Sequence, residues 1–318
     1  MKHRGLGLIG AVLSAAIASG ARLPVAAQTA TPAQPPALFR ASIDLVRISA
    51  VVRDHKGRFV QDLSARDFEI LDGGRVRPVT DFRRDLSGVS IALLFDVSGS
   101  MEARLGSARE AAEHVLSWLE RNRDEAAIFT FDTRLVERTP FTTGLKSLAS
   151  MSSVVPFGAT SLHDAIAQTA ERVSAREGRR RAVVVLTDGL DNWSRLAPAE
   201  VSGIASAIDV PVYILGVVPS IDNPSADTRT PTAEHSALAG PLADLASFTG
   251  GHVFIASTPA QRSIAARQIV DEMRHQYLLA FESSSEPGWH ALVVRARDRD
   301  FTVRARSGYM TQRRFNSH

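Results

Sequence analysis

The sequence predicts an α/β protein: a doubly wound, mainly parallel sheet with helices on both faces, inserted in a small antiparallel β unit formed by its two flanking segments. Two observations carry this. Between Val89 and about Arg274, short runs that are apolar throughout alternate with stretches whose apolar residues recur at three and four, as expected for strands buried on both faces and separated by covering helices. On either side of that region apolar residues instead recur at every second position, the pattern of strands with one face in a core.

Taken in order, the chain opens on Lys2 and Arg4, an uncharged run from Gly5 to Ala21, and Val25-Ala26-Ala27 before Gln28. This is the charge, apolar core and A-x-A-like ending of a secretory signal; as an uncleaved membrane anchor the run is short. Residues 1–27 are therefore expected to be a signal peptide and the mature protein to be exported, with a Pro/Ala linker at 28–37. Loss of Lys2, Arg4 and Arg22 lowers the 37 basic side chains to 34, matching 34 acidic ones. A neutral mature chain offers no field to steer nucleic acid. There is no cysteine, so neither a disulfide nor a lipid-bearing cysteine is available, and no later segment approaches the ~18 unbroken apolar residues of a membrane span.

The N-terminal β segment is read over 38–88. Ile43 and Leu45 alternate, then Val46, Ile48, Ala50 and Val52 alternate one step out of phase, which suggests a bulge or bend within an edge strand. A hairpin follows around Asp72-Gly73-Gly74. The α/β region, 89–275, has buried strands at 90–95, 125–131, 181–187, 210–217 and 252–256. Residues 135–141 are expected to form the one antiparallel edge strand. Met101, Leu105, Ala108, Ala112, Val115, Leu116 and Leu119 mark the apolar face of the first helix, expected to begin near Glu102. A C-terminal β segment, 276–310, contains a hairpin turning at Asp298-Arg299-Asp300, and 311–318 is a tail. Neither flank is large enough to be stable alone, so the two are expected to pair.

Side chains at the carboxyl ends of parallel strands converge on one crevice. Here those ends carry oxygens: Asp96, Ser98 and Ser100 after the first buried strand, Thr187, Asp188 and Asp191 after the third, and Thr160 and Ser161 in the loop before Leu162. Hard oxygen donors suit Mg²⁺, Mn²⁺ or Ca²⁺ and argue against zinc. With few carboxylates among them, a bound ion stays under-neutralised and attractive to an incoming acid.

The stretches "DVSGSM", "GATSLHDAI" and "VVVLTDG" resemble the three loops of a von Willebrand factor type A domain, and "LADLASFTGGHVFIA" (242–256) resembles its last helix and strand. The resemblance spans roughly 89–275 and implies a metal-ion-dependent adhesion site in which Asp96, Ser98, Ser100, Thr160 and Asp188 are the five ligand positions. It implies a protein-binding role in place of catalysis, with Mg²⁺ (or Mn²⁺ or Ca²⁺) presented to a protein partner bearing an exposed Asp or Glu. The polar, Pro-rich stretch 219–240 would shape which surface fits. The flanks are similar to an exported bacterial group, the VWFA-related Acidobacterial domain proteins, which implies a periplasmic or secreted location.

Each residue also has a plainer reading. Ser98 or Ser100 would simply cap the following helix, and Thr160 or Ser161 the next. His163 invites catalysis but reads better as a helix surface residue near the rim. Arg179-Arg180-Arg181 invites phosphate yet suits a solvated helix-to-strand loop. Trp193 fits either an exposed anchor or a loop packed on the sheet. Two rival functions remain: a metal-dependent phosphoryl-transfer enzyme with Asp96 as nucleophile, and a scaffold that never binds metal.

Overall fold

Two kinds of strand succeed one another along the chain, as the two apolar periods require. Strands β1 (Leu45–Arg53), β2 (Phe68–Asp72), β3 (Arg75–Arg77) and β4 (Asp81–Arg83) come first. The α/β region follows: β5 (Val89–Asp96), α1 (Leu105–Trp118), β6 (Glu125–Phe131), β7 (Leu135–Thr143), α2 (Leu162–Ser174), β8 (Arg180–Thr187), α3 (Pro198–Ala207), β9 (Val212–Val217), α4 (Pro241–Phe248), β10 (Val253–Ala256) and α5 (Pro259–Arg274). Strands β11 (Gln276–Glu282), β12 (Gly288–Ala296), β13 (Thr302–Arg304) and β14 (Gly308–Thr311) close it. This computed structural model describes residues 45–84, 88–207, 209–219, 238–284 and 286–311, all within one compact unit, Ile43–His318. The expected signal, the linker, Ile43, most of 219–240 and most of the tail lie outside the described residues.

The central sheet runs β10-β9-β8-β5-β6-β7. All neighbours are parallel except β7, an antiparallel edge on β6. Every residue of β5, β6, β9 and β10 is buried, because α1 and α5 pack on one face and α2, α3 and α4 on the other. Strand β5 pairs with β6 on one side and β8 on the other. The chain leaves β5 over one face through α1 and returns to β8 over the opposite face through α2. Strand order therefore reverses between β5 and β8, and a crevice opens beyond their carboxyl ends.

The flanking segments form two four-stranded antiparallel sheets, β13-β1-β11-β4 and β14-β12-β2-β3, closing over a shared core that includes Ile48, Ile70, Tyr277, Phe281 and Val294. Three expectations change here. β1 lies between β11 and β13 and is not an edge strand. Its ladder with β11 runs unbroken from Leu45 to Val51, so no bulge is needed; Leu45 simply faces solvent. Strands β12 and β13 do not form the expected hairpin ladder: β12 joins β2 and β14, and β13 joins β1. The turn at 298–300 crosses between sheets, and both strands keep their apolar faces in the one core.

Helix α1 also starts later than expected. Residues Gly99–Met101 form a 3₁₀ turn, so Met101 reaches the core from the loop that carries the site. The arginine run is not a solvated loop either. Arg180 is buried at the start of β8 and donates to the Arg84 carbonyl, while Arg179 donates to Arg123 O at 2.6 Å and Arg181 to Ser174 O at 2.6 Å. Each of these guanidinium groups serves a backbone carbonyl, and Arg179 also lies 3.8 Å from Glu125 Oε1.

The β sandwich is tied to the α/β region by a buried charge cluster. Glu272, near the end of α5, accepts from Arg53 of β1 at 3.0 Å and from Arg304 of β13. Burial alone would raise the Glu272 carboxyl, yet the two guanidinium groups hold it below the ordinary range. Removing one member of a buried pair leaves an uncompensated charge, a loss of ~3–5 kcal/mol. Urea unfolding of Glu272→Gln is expected to show a loss of that size; an unchanged midpoint would contradict the cluster's role.

Candidate functional site

Asp96 is the last residue of β5 and has no solvent exposure. Its Oδ1 accepts from the Ser98 amide at 2.9 Å and its Oδ2 from Thr187 Oγ1 at 2.7 Å. The carboxyl is pushed up to about 6, chiefly because burial disfavours its charged form, with the charge of nearby Asp188 adding to the shift against the pull of those hydrogen bonds. Asp96 is thus pinned across the reversal point, from β5 to the end of β8.

The neighbouring loops are laced together by backbone. Phe157 N donates to Val97 O at 2.8 Å, and Gly99 N to Gly158 O at 3.0 Å. Gly158 and Gly189 both have φ near +90° (88° and 87°), a conformation that favours glycine, and they let the two loops turn back over the strand ends. Ser98 Oγ and Ser100 Oγ lie 3.2 Å apart. Thr160 is buried, its amide donating to Asn192 Oδ1 at 2.8 Å and its carbonyl accepting from Asn192 N and Trp193 N.

Asp188 is engaged in a way its place in the sequence does not reveal. Its Oδ2 accepts from Arg104 Nη1 at 3.0 Å, and the same guanidinium nitrogen reaches Ser100 O at 2.7 Å. Arg104 reads in the sequence as one more charge near a helix start; only its position against the third loop marks it. The bland capping reading fares poorly for two residues. Ser98 and Ser161 occupy N-cap positions, but neither makes a side-chain capping hydrogen bond. Helix α2 is capped from outside instead: His163 N donates to Asp191 Oδ2 and to Ser194 Oγ, and Asp164 N to Ser194 Oγ.

Asp191 and His163, both candidates by type, hold each other. His163 Nδ1 lies 2.7 Å from Asp191 Oδ2, with both side chains largely covered, so His163 is not the surface residue its helical position suggests. Burial would raise the Asp191 carboxyl, but hydrogen bonds from His163 and Ser194 hold it well below the usual carboxylate range. Its role is to brace the loop. Trp193, by contrast, stands 64% exposed. Among the described residues no three His, Cys, Asp or Glu side chains gather as a metal cluster. The crevice instead offers two carboxylates and several hydroxyls, an all-oxygen donor set that fits a hard cation completed by water.

Residues 91–190 match the von Willebrand factor type A domain family. No curated protein matches the chain. Solved structures similar to it include BatB from Bacteroides thetaiotaomicron (21% identity, 58% of this chain and 98% of that one, TM-score 0.46). Another is proximal thread matrix protein 1 from the mussel byssus with a zinc-occupied MIDAS motif (18% identity, 64% and 49%, TM-score 0.45). A third is a von Willebrand factor type A protein from Catenulispora acidiphila (12% identity, 86% and 76%, TM-score 0.45).

The raised carboxyl at Asp96 has a consequence for stability. A carboxyl with a higher pKa folded than unfolded stabilises the fold below the unfolded value, about 4, and loses that contribution as pH rises through about 6. In EDTA, Asp96→Asn is expected to be more stable than wild type near pH 7.5 by roughly 3 kcal/mol, and to match it near pH 4. Urea titrations at the two pH values measure the difference, and parallel pH profiles would refute it.

Proposed function

Since the chain carries a von Willebrand factor type A domain, we propose that it is a metal-ion-dependent binding module that captures an acidic side chain of a protein partner. Asp96, Ser98, Ser100, Thr160 and Asp188 would hold the ion, Mg²⁺ in the first instance or Mn²⁺ or Ca²⁺. The observation that carries the reading is the charge balance at the end of β5 and β8. Two carboxylates, Asp96 and Asp188, share these loops with the hydroxyl residues Ser98, Ser100 and Thr160, and one of those carboxylates already serves the Arg104 guanidinium.

A divalent ion there would supply a point of attraction for a carboxylate. Its two charges, with that of Arg104, exceed the two negative charges of Asp96 and Asp188, so an anion is favoured over a neutral group. The rest is the work of the chain itself. Thr187 and the Ser98 amide hold Asp96 in place, and Asn192 fixes the loop that bears Thr160. A binding role also suits Asp96 better than nucleophilic chemistry does, because both its oxygens accept hydrogen bonds and neither is exposed. Export through residues 1–27 belongs to the same proposal. Among the described residues no helix is long and apolar enough to cross a membrane.

Calorimetry on the full chain tests the reading. Mg²⁺ or Mn²⁺ should give heat that EDTA abolishes, and Asp96→Ala and Thr160→Ala should each weaken ion binding at least tenfold while remaining folded. Arg104→Gln should act in two directions, binding the ion several-fold tighter and an acidic peptide more weakly, because it removes both a competitor for Asp188 and a positive charge. Wild-type ion affinity in Asp96→Ala and Thr160→Ala would overturn the proposal.

A further inference from the structure

The three large apolar side chains standing furthest into solvent among the described residues all belong to loops of the candidate site. Phe157 is 81% exposed, Val155 78% and Trp193 64%, and Leu190, two residues beyond Asp188, is exposed beside them in the chain. Exposed aromatic groups elsewhere have company. Trp289 stacks on Phe248 with ring centroids 4.4 Å apart, and Trp118 lies under the Arg267 guanidinium at 5.4 Å. Among the described residues neither Phe157 nor Trp193 has a ring or cation partner of this kind.

Three of these side chains stand on backbone that is hydrogen-bonded within the site. The Phe157 amide is bonded to Val97 O, one residue beyond Asp96. The Trp193 amide is bonded to Thr160 O at 3.0 Å and to Asp191 Oδ1 at 3.2 Å. The Leu190 amide reaches Asp188 Oδ1 at 3.3 Å. Phe157, Trp193 and Leu190 are therefore each anchored within two residues of a proposed ion ligand or directly on one, and Val155 stands two residues before Phe157 in the same loop. An exposed apolar patch rimming a polar centre marks an interaction surface, and excluding water strengthens the polar pair at its middle.

We propose that Val155, Phe157, Leu190 and Trp193 form an apolar rim that selects the partner. The occupant is a protein segment whose Asp or Glu is flanked, within one or two residues, by bulky aliphatic or aromatic side chains. This rests on the acid-binding reading above: the positive centre receives the carboxylate, and the rim receives its neighbours. Specificity among acidic partners then resides in these four side chains, while the ion ligands supply only the requirement for an acid.

The test uses the full chain in Mg²⁺ and three fluorescein-labelled peptides on one Gly/Ser scaffold, read by anisotropy. The first carries Glu flanked by Leu and Phe, the second Glu flanked by Ser, and the third Gln flanked by Leu and Phe. The first peptide should bind at least tenfold tighter than the second. Phe157→Ser or Trp193→Ser should erase that preference with Mg²⁺ affinity unchanged, which shows that the variant is folded and its ion site intact. Equal binding of the first two peptides, an undiminished preference in both variants, or no binding by any peptide overturns the rim. If the preference instead persists in EDTA and in the third peptide, the rim stands and the metal-dependent acid reading fails.

Discussion

The site depends on one placement: a carboxylate at the end of a strand buried along its whole length, at the point where strand order reverses. Every residue of β5 is buried, so Asp96 has no water of its own and must find its partners within the protein. It takes them from the next turn and from the end of β8. The resulting bridge brings the two strand ends that define the crevice under one set of hydrogen bonds. The cost is visible in the carboxyl's raised pKa, strain on the charged form that a nearby cation would relieve.

Around that point, the candidate site and the joint to the flanking strands lie at opposite ends of the sheet. The carboxyl ends of the strands carry loops whose polar groups are used locally, in short bonds between neighbouring turns. The flanking strands pack instead toward the beginnings of β5 and β8, where Arg180 reaches the Arg84 carbonyl and Gln276 continues from α5 into β11. The Glu272 cluster couples α5 to β1 and β13 there. The loops of the site can therefore differ in surface chemistry without disturbing the joint between the two parts of the fold.

The loop after β8 shows how a surface is held ready without being packed. Asp191 and Ser194 cap α2 from outside, Asn192 takes the Thr160 amide, and Asp164 accepts from the Arg195 and Leu196 amides. With its backbone satisfied in this way the loop turns only Leu196 toward the core and leaves Trp193 in solvent. His163, a tempting proton carrier, is part of the same bracing.

Much of this was legible in the chain itself. A parallel sheet follows from strands that are apolar throughout, the β7 edge from the tight turn that joins it to its neighbour, and paired flanks from segments too small to bury a core alone. Oxygen donors at the strand ends are visible as residue types. What the sequence could not decide is which neighbour each group meets. Period-two alternation is the same whether a strand lies at an edge or between two others, so β1 could be placed only by its ladders to β11 and β13. Two strands joined by a short turn share alternation whether they pair or face each other across a core, so β12 and β13 were separated only by packing. Arg104 and Asp188 lie 84 positions apart, and no local period connects them. Local pattern records which face of an element is apolar; contacts across long loops depend on how the elements stack, and that is set by tertiary structure alone.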